Sequence, residues 1–170
     1  MKHLYRRLMC LMIPALLLTA CKEEESYEFG EPYDKIEGIN GAFKLIQTIQ
    51  YDELSRAFDN SLDVSDVFLG SNSMQINFNG SDFTYTVDAN DSPNFLGEGG
   101  SWKFFNPEEP DNSNIYPTQV ILTPNGGSEI ILALSAPPIL ANPTVGLKLE
   151  KGCGGRNTVS YDLIFERLNP

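Results

Sequence analysis

Histidine is almost absent from this 170-residue chain: the single one is His3. Downstream of it no imidazole is available, so a Ser-His-Asp triad, a Cys-His pair and a His-ligated zinc or haem site are excluded there. Cysteine is scarce too, at positions 10, 21 and 153. No apolar run reaches the roughly 20 residues that a membrane-spanning helix needs. The longest, Leu8–Ala20, is too short and is broken by Pro14. Basic side chains are outnumbered, 12 Lys and Arg against 23 Asp and Glu. Such a surface repels phosphate backbones, and no nucleic-acid partner is expected.

The short apolar run has the form of a signal peptide. Lys2, Arg6 and Arg7 precede it with no acid among them, and Thr19 and Ala20 are small residues suited to cleavage before Cys21. Leu18-Thr19-Ala20-Cys21 resembles the bacterial lipobox. That resemblance implies that residues 1–20 are removed and that Cys21 carries a diacylglycerol thioether and an N-linked acyl chain such as palmitate. Several chains hold a protein firmly, at about 0.8 kcal/mol per buried methylene. Cys10 and His3 then leave with the peptide, and Cys153 is left without a disulfide partner in the same chain. The chain keeps nine basic side chains against its 23 acids.

Lys22-Glu23-Glu24-Glu25 follows directly. An acidic run is ordinarily a solvated segment. Beside a lipidated cysteine it resembles the surface-export signal of Bacteroidota lipoproteins, which implies an outer-membrane anchor with the chain exposed at the cell surface. Residues 21–37 hold seven acids, two lysines and Pro32, the composition of a flexible tether. Residues 38–170 suffice for one domain with one core.

That domain reads as all-β. Period-two alternation marks strands at Ala42–Gln50 (Phe43, Leu45 and Ile49 on one face), Met74–Phe78, Asp82–Asp88, Gly100–Phe105, Thr118–Thr123, Ser128–Leu134, Val145–Lys151 and Thr158–Leu168. Asn79-Gly80, Pro124-Asn125-Gly126-Gly127 and Gly152-Cys153-Gly154-Gly155 supply turns between them, the first as a pair that accepts positive φ. Eight strands joined largely by hairpins predict an antiparallel up-and-down meander. Such a meander loses its edges by closing into a barrel, with the last strand paired to the first. One short helix is expected at Asp52–Phe58, capped by Asp52, with Leu54 and Phe58 on one face. It would plug one end of the barrel.

Strand count and order over residues 38–170 resemble the lipocalin-like, calycin-type lipoproteins of Bacteroidota. In lipocalins a Gly-x-Trp opens the first strand, and an arginine near the end of the last strand packs on its tryptophan. Gly41-Ala42-Phe43 and Arg167 stand at those places here, with phenylalanine for tryptophan. A Gly-x-Trp occurs as Gly100-Ser101-Trp102 in the fourth strand. The resemblance implies a barrel with one open end and, in many members, no known ligand.

Four constellations bear on function. Phe43, Phe78, Phe83, Tyr85, Trp102, Phe104, Tyr161 and Phe165 fall on inner faces. They either line a pocket for a small apolar or glycan ligand or fill the core, and their number favours a mostly filled interior. The candidate ligand-binding set is Leu54, Phe58, Phe83, Tyr85, Trp102, Phe104 and Tyr161. Across residues 51–73, Leu54, Phe58, Val67 and Phe68 offer an apolar lid, while Asp52, Asp59, Asp63 and Asp66 stay wet. The loop from Ser135 to Thr144 is stiffened by Pro137, Pro138 and Pro143. It presents Ile139 and Leu140 either to a partner or back over the barrel end. Finally, Glu108, Glu109 and Asp111 cluster without the 1, 3, 5 spacing of a calcium loop, and no metal is expected. Adjacent Glu108 and Glu109 do not face one another across a sugar as glycosidase carboxylates do. Cys153 reads as a plain turn residue.

The expected protein is therefore a non-enzymatic lipoprotein without cofactors, anchored to the outer membrane. It binds a small apolar or glycan ligand, or docks an outer-membrane or extracellular protein partner through its loops.

Overall fold

The computed structural model describes residues 34–55, 60–69, 73–90, 92–153 and 155–168. Nine antiparallel strands form one sheet: β1 (Gly41–Asp52), β2 (Ser61–Asp63), β3 (Gln75–Asn79), β4 (Thr84–Asp88), β5 (Gly99–Phe105), β6 (Gln119–Pro124), β7 (Ile130–Leu134), β8 (Thr144–Cys153) and β9 (Arg156–Arg167). Each strand from β3 to β8 pairs with its successor, and β9 returns to β1 from Phe43↔Arg167 to Asp52↔Val159. Eight strands thus close into an up-and-down barrel as expected. The addition is β2, which pairs with the last part of β1 (Ile49↔Asp63, Gln50↔Leu62, Tyr51↔Ser61), while β3 pairs with its start (Gly41↔Phe78 to Lys44↔Gln75).

Alternation sets which side chains enter the barrel. Ile76 and Phe78, Tyr85, Trp102 and Phe104, Val120 and Leu122, Leu132, then Val145, Leu147 and Leu149 are all buried. β1 departs from the simple reading. Its register against β9 shifts between Leu45 and Gln47. The bulge inserts one extra residue after Leu45, so Thr48 rather than Ile49 takes the next buried position. Thr48 pairs with Leu163, an inward residue of β9.

The expected helix at Asp52–Phe58 does not form over its described part. β1 continues to Asp52, and residues 53–54 are a turn; Phe58 lies outside the described residues. Asp52 does cap the turn, its Oδ1 accepting from the N–H groups of Leu54 (3.0 Å) and Ser55 (3.2 Å). A strand end and an Asx turn satisfy this backbone without helix nucleation. The helices lie elsewhere. Helix α1 (Lys35–Ile39) is capped by Asp34 and starts inside the stretch read as tether. Helix α2 (Ser65–Leu69) follows β2.

Two turns also differ. Asn79-Gly80 opens a four-residue turn in which the positive φ falls on Phe83 (+56°) and not on Gly80, so β4 begins at Thr84. β8 runs through Cys153, opposite Arg156, which leaves a tight turn at Gly155 (φ +79°).

Candidate functional site

The barrel interior toward the α1 end is filled by rings around Trp102. Phe83 and Phe104 each stand 5.2 Å from its ring and Phe78 5.6 Å. Phe78 continues the contact to Phe43 (6.4 Å) and Tyr85 (6.5 Å). The polar tips of this group are spent on the fold. The Trp102 indole donates to the Asn79 carbonyl at 3.2 Å, and the Tyr85 hydroxyl to the Leu96 carbonyl at 2.8 Å. Burial pushes the Tyr85 phenol above its ordinary pKa. Amphipathic rings whose donors are already satisfied by backbone act as core.

Each barrel end carries a short helix. At one end α1 is held from three sides of the rim. Arg167 of β9 donates from Nη1 to the Asn40 carbonyl and from Nη2 to the Gly38 carbonyl, both at 2.6 Å. Gly80, in the β3–β4 turn, donates its N–H to the Asn40 Oδ1 at 2.8 Å. Gly38 lies against Pro138 of the β7–β8 loop. At the other end the Thr48 N–H donates to Ser65 Oγ at 3.0 Å, and the Ser92 hydroxyl donates to the Phe68 carbonyl while accepting from the Met74 N–H. The Phe68 ring stands 5.7 Å from Phe95 and 5.8 Å from Tyr161, closing the mouth with three aromatics.

The candidate ligand set therefore divides. Phe83, Tyr85, Trp102 and Phe104 come together in one core cluster, with Phe83 half-buried at its edge. Tyr161 belongs to the separate aromatic seal at the α2 end. Leu54 joins neither and is 61% exposed, and Phe58 lies outside the described residues. Of the described apolar lid residues, Phe68 alone is buried; Val67 is exposed. In the β7–β8 loop, Pro138 is buried, Ile139 half-buried and Leu140 half exposed. Leu140 and Ala141 form a groove of about 350 Å³ with Asp34 and Glu37 at the start of α1. Cys21 and the run Lys22, Glu23, Glu24 and Glu25 lie outside the described residues, as does the side chain of Cys153.

Loop polarity is organised by residues that strand periodicity does not mark. Asn106, buried, binds the Tyr116 carbonyl through its side chain (2.8 Å), and its N–H donates to Ser113 Oγ (2.9 Å). This folds the acidic loop inward on its Asn and Ser while Glu108, Glu109 and Asp111 stay exposed. Among the described residues no group of acids, cysteines or histidines is placed to hold a metal.

On the outer face, Glu53 accepts from Lys148 Nζ (3.1 Å) and from the Ser160 hydroxyl. The Ser160 hydroxyl, then Lys148, hold the Glu53 carboxyl below its ordinary pKa. Burial alone would lower the Lys148 ammonium, but Glu53, Asp162 and Glu150 outweigh it and the net shift is upward. Lys148 also sits 5.6 Å over the Tyr51 ring. This cluster joins side chains far apart in sequence, which no spacing rule reveals.

Two larger grooves lie on the outer faces of the sheet. One, of about 480 Å³, runs over β7 and β8 between Glu129, Ile131, Lys148 and Asn157. The other, of about 610 Å³, lies over the meeting of β4, β5 and β6.

A closed eight-stranded antiparallel meander defines the lipocalin-like class of barrel, an architecture compatible with ligand binding. Residues 19–137 match the family described as "Domain of unknown function (DUF5004)", and the chain belongs to that family. No curated protein matches the chain.

Proposed function

We propose that this chain is a non-enzymatic lipoprotein, anchored in an outer membrane of Bacteroidota type through acylated Cys21 and directed to the cell surface by Lys22–Glu25. It binds its ligand on the outside of a filled barrel. The single observation that supports an exterior site is the packing of Phe43, Phe78, Tyr85, Trp102 and Phe104, each at most 4% exposed, into one ring cluster with its polar tips satisfied. Of the two ligand classes weighed, a glycan suits the outer grooves, which mix hydrogen-bonding and apolar groups, better than a small apolar molecule does. The anchor reading predicts that Cys21→Ser moves the protein from the membrane to the soluble fraction. Unchanged membrane recovery of that variant sinks the anchor. Changing Glu23, Glu24 and Glu25 to alanine is expected to keep the attachment while abolishing cleavage by protease added to whole cells. Equal cleavage reduces the run to a spacer.

A second reading has its own observation. Leu140 is half exposed on a proline-stiffened loop beside an apolar groove, and Ile115 and Tyr116, also exposed, lie on the β5–β6 loop at the same barrel end. That end would dock a protein partner of the outer membrane, with little ordering cost for the stiff loop. Leu140→Asp, with crosslinking in whole cells, tests it: loss of a specific crosslinked species supports docking, and an unchanged pattern removes it.

A further inference from the structure

Three strands meet closely where β5 begins. β4 and β5 share three pairs, Thr84↔Ser101, Tyr85↔Gly100 and Thr86↔Gly99, and β6 continues the first row through Ser101↔Thr123. Tyr85, Trp102 and Leu122 point inward, so Thr84, Thr86, Ser101 and Thr123 stand on the outer face. Glycine is required at the junction. A Cβ at Gly99 would lie 2.8 Å from the Tyr85 carbonyl oxygen, and one at Gly100 would lie 2.0 Å from that of Thr123. Over this close meeting of strands, Thr84, Thr86, Ser101, Thr123 and Asn125 line the groove of about 610 Å³.

The lining of that groove mixes hydroxyl and amide groups with the apolar surface of Pro124 and the threonine methyls. The hydroxyls of Thr86, Ser101 and Thr123, the carboxylate of Glu98 and the carboxamide of Asn125 make no hydrogen bond to any other described residue. Each hydroxyl donates and accepts, the amide does both, and the carboxylate accepts. Among the described residues no lysine or arginine lines the groove, which disfavours phosphate, sulfate and uronate ligands. Its one large ring, Tyr85, is buried inside the barrel, which disfavours lipids. We propose that this groove binds a neutral, polyhydroxylated ligand, a glycan segment of about two or three sugar rings by volume. Sugar hydroxyls also donate and accept, so the unpaired row of Thr86, Ser101 and Thr123 meets its own chemistry. The site is open to water, so each bond replaces one to water and the affinity is weak, of order millimolar. This inference rests on the exterior-binding reading and names its site and ligand class.

The test uses the full chain bearing Cys21→Ser, with amide chemical shifts followed during titration. The probes are maltotriose, cellotriose and N-acetylchitotriose, with trigalacturonate as the acidic comparison. Saturable shifts at Gly99, Gly100 and Asn125 with at least one neutral trisaccharide, and none with trigalacturonate, are expected. Combining Thr86→Val, Ser101→Ala and Thr123→Val should weaken that binding about tenfold or more. An unchanged melting midpoint shows that this variant is folded, and Asn125→Ala supplies a second, turn-located variant with the same expected direction. The proposal is overturned if no neutral trisaccharide shifts these amides, if trigalacturonate binds equally, or if both variants bind unchanged. Shifts elsewhere on the outer face overturn the groove but leave exterior binding standing. Shifts centred on Phe68, Phe95 and Tyr161 overturn both.

Discussion

The guanidinium of Arg167 lies 4.7 Å over the ring of Phe43 while its two terminal nitrogens reach the carbonyls of Gly38 and Asn40. One side chain thus joins the last strand, the first strand and the helix that closes the barrel end. Gly41 makes room for it: its φ of +116° suits glycine, and a Cβ there would stand 3.3 Å from Arg167 Nη1. The planar fork is what allows stacking and two parallel donations together, which an ammonium cannot do.

Arg167→Ala is expected to destabilise the fold by roughly 2–4 kcal/mol, because it strands two carbonyls and removes a buried cation from its ring. Arg167→Lys should recover less than half of that loss. Urea unfolding of both variants, with Phe43→Leu to complete a double-mutant cycle, measures the coupling. Additive losses would mean that the stacking contributes nothing.

Trp102→Ala is expected to cost roughly 3–5 kcal/mol, as expected for a large ring removed from a filled core. Trp102→Phe should cost less. A ligand-lining tryptophan would instead show a small stability change with a binding defect.

At the α2 end Phe68 is buried and Leu54 is exposed. Phe68→Ala is expected to lower the melting midpoint clearly and to admit an apolar fluorescent dye, since it removes one of three mutually tilted rings in contact at the α2 end. Leu54→Ala, at an exposed position, should stay within about 0.5 kcal/mol of the parent. A dye site opened by Leu54→Ala would show this assignment wrong.

Acid stability has a named contributor in Glu53. Its folded-state pKa is depressed by the Ser160 hydroxyl and by Lys148. Its stabilisation is therefore present above the ordinary carboxyl pKa and is lost as pH falls through the lower folded value. Glu53→Gln is expected to flatten the stability profile in that acid range and to leave neutral-pH stability little changed, because the pair is about one-third exposed and screened by water. An acid limb identical in the variant would remove Glu53 from the account.

Strand identity was written locally. Alternation in Gln75–Asn79, Val145–Lys151 and Thr158–Leu168 depends only on which neighbour is apolar, and a half-buried strand imposes that pattern residue by residue. Hairpin-length connections then made an antiparallel meander the economical topology. Gly41, Phe43 and Arg167 were visible as candidates for the closing contact only through the resemblance to lipocalins. What sequence could not carry was anything that depends on register or on loops. The bulge at Ile46 exchanges Ile49 for Thr48 on the inside, and only pairing against β9 reveals it. Asp52 serves a turn and not a helix because β1 keeps its partner β9 to that point. Phe68 packs on Phe95 and Tyr161 because Thr48 of β1 and Ser92 of the β4–β5 loop, both distant in the chain, tie α2 down. Thr86, Ser101 and Thr123 share one groove with Gly99 because three strands pair in that register. Local patterning chose the elements, since it reflects short-range burial. Their meeting points were decided by tertiary structure, where the free energy belongs to pairs of residues that the chain order keeps apart.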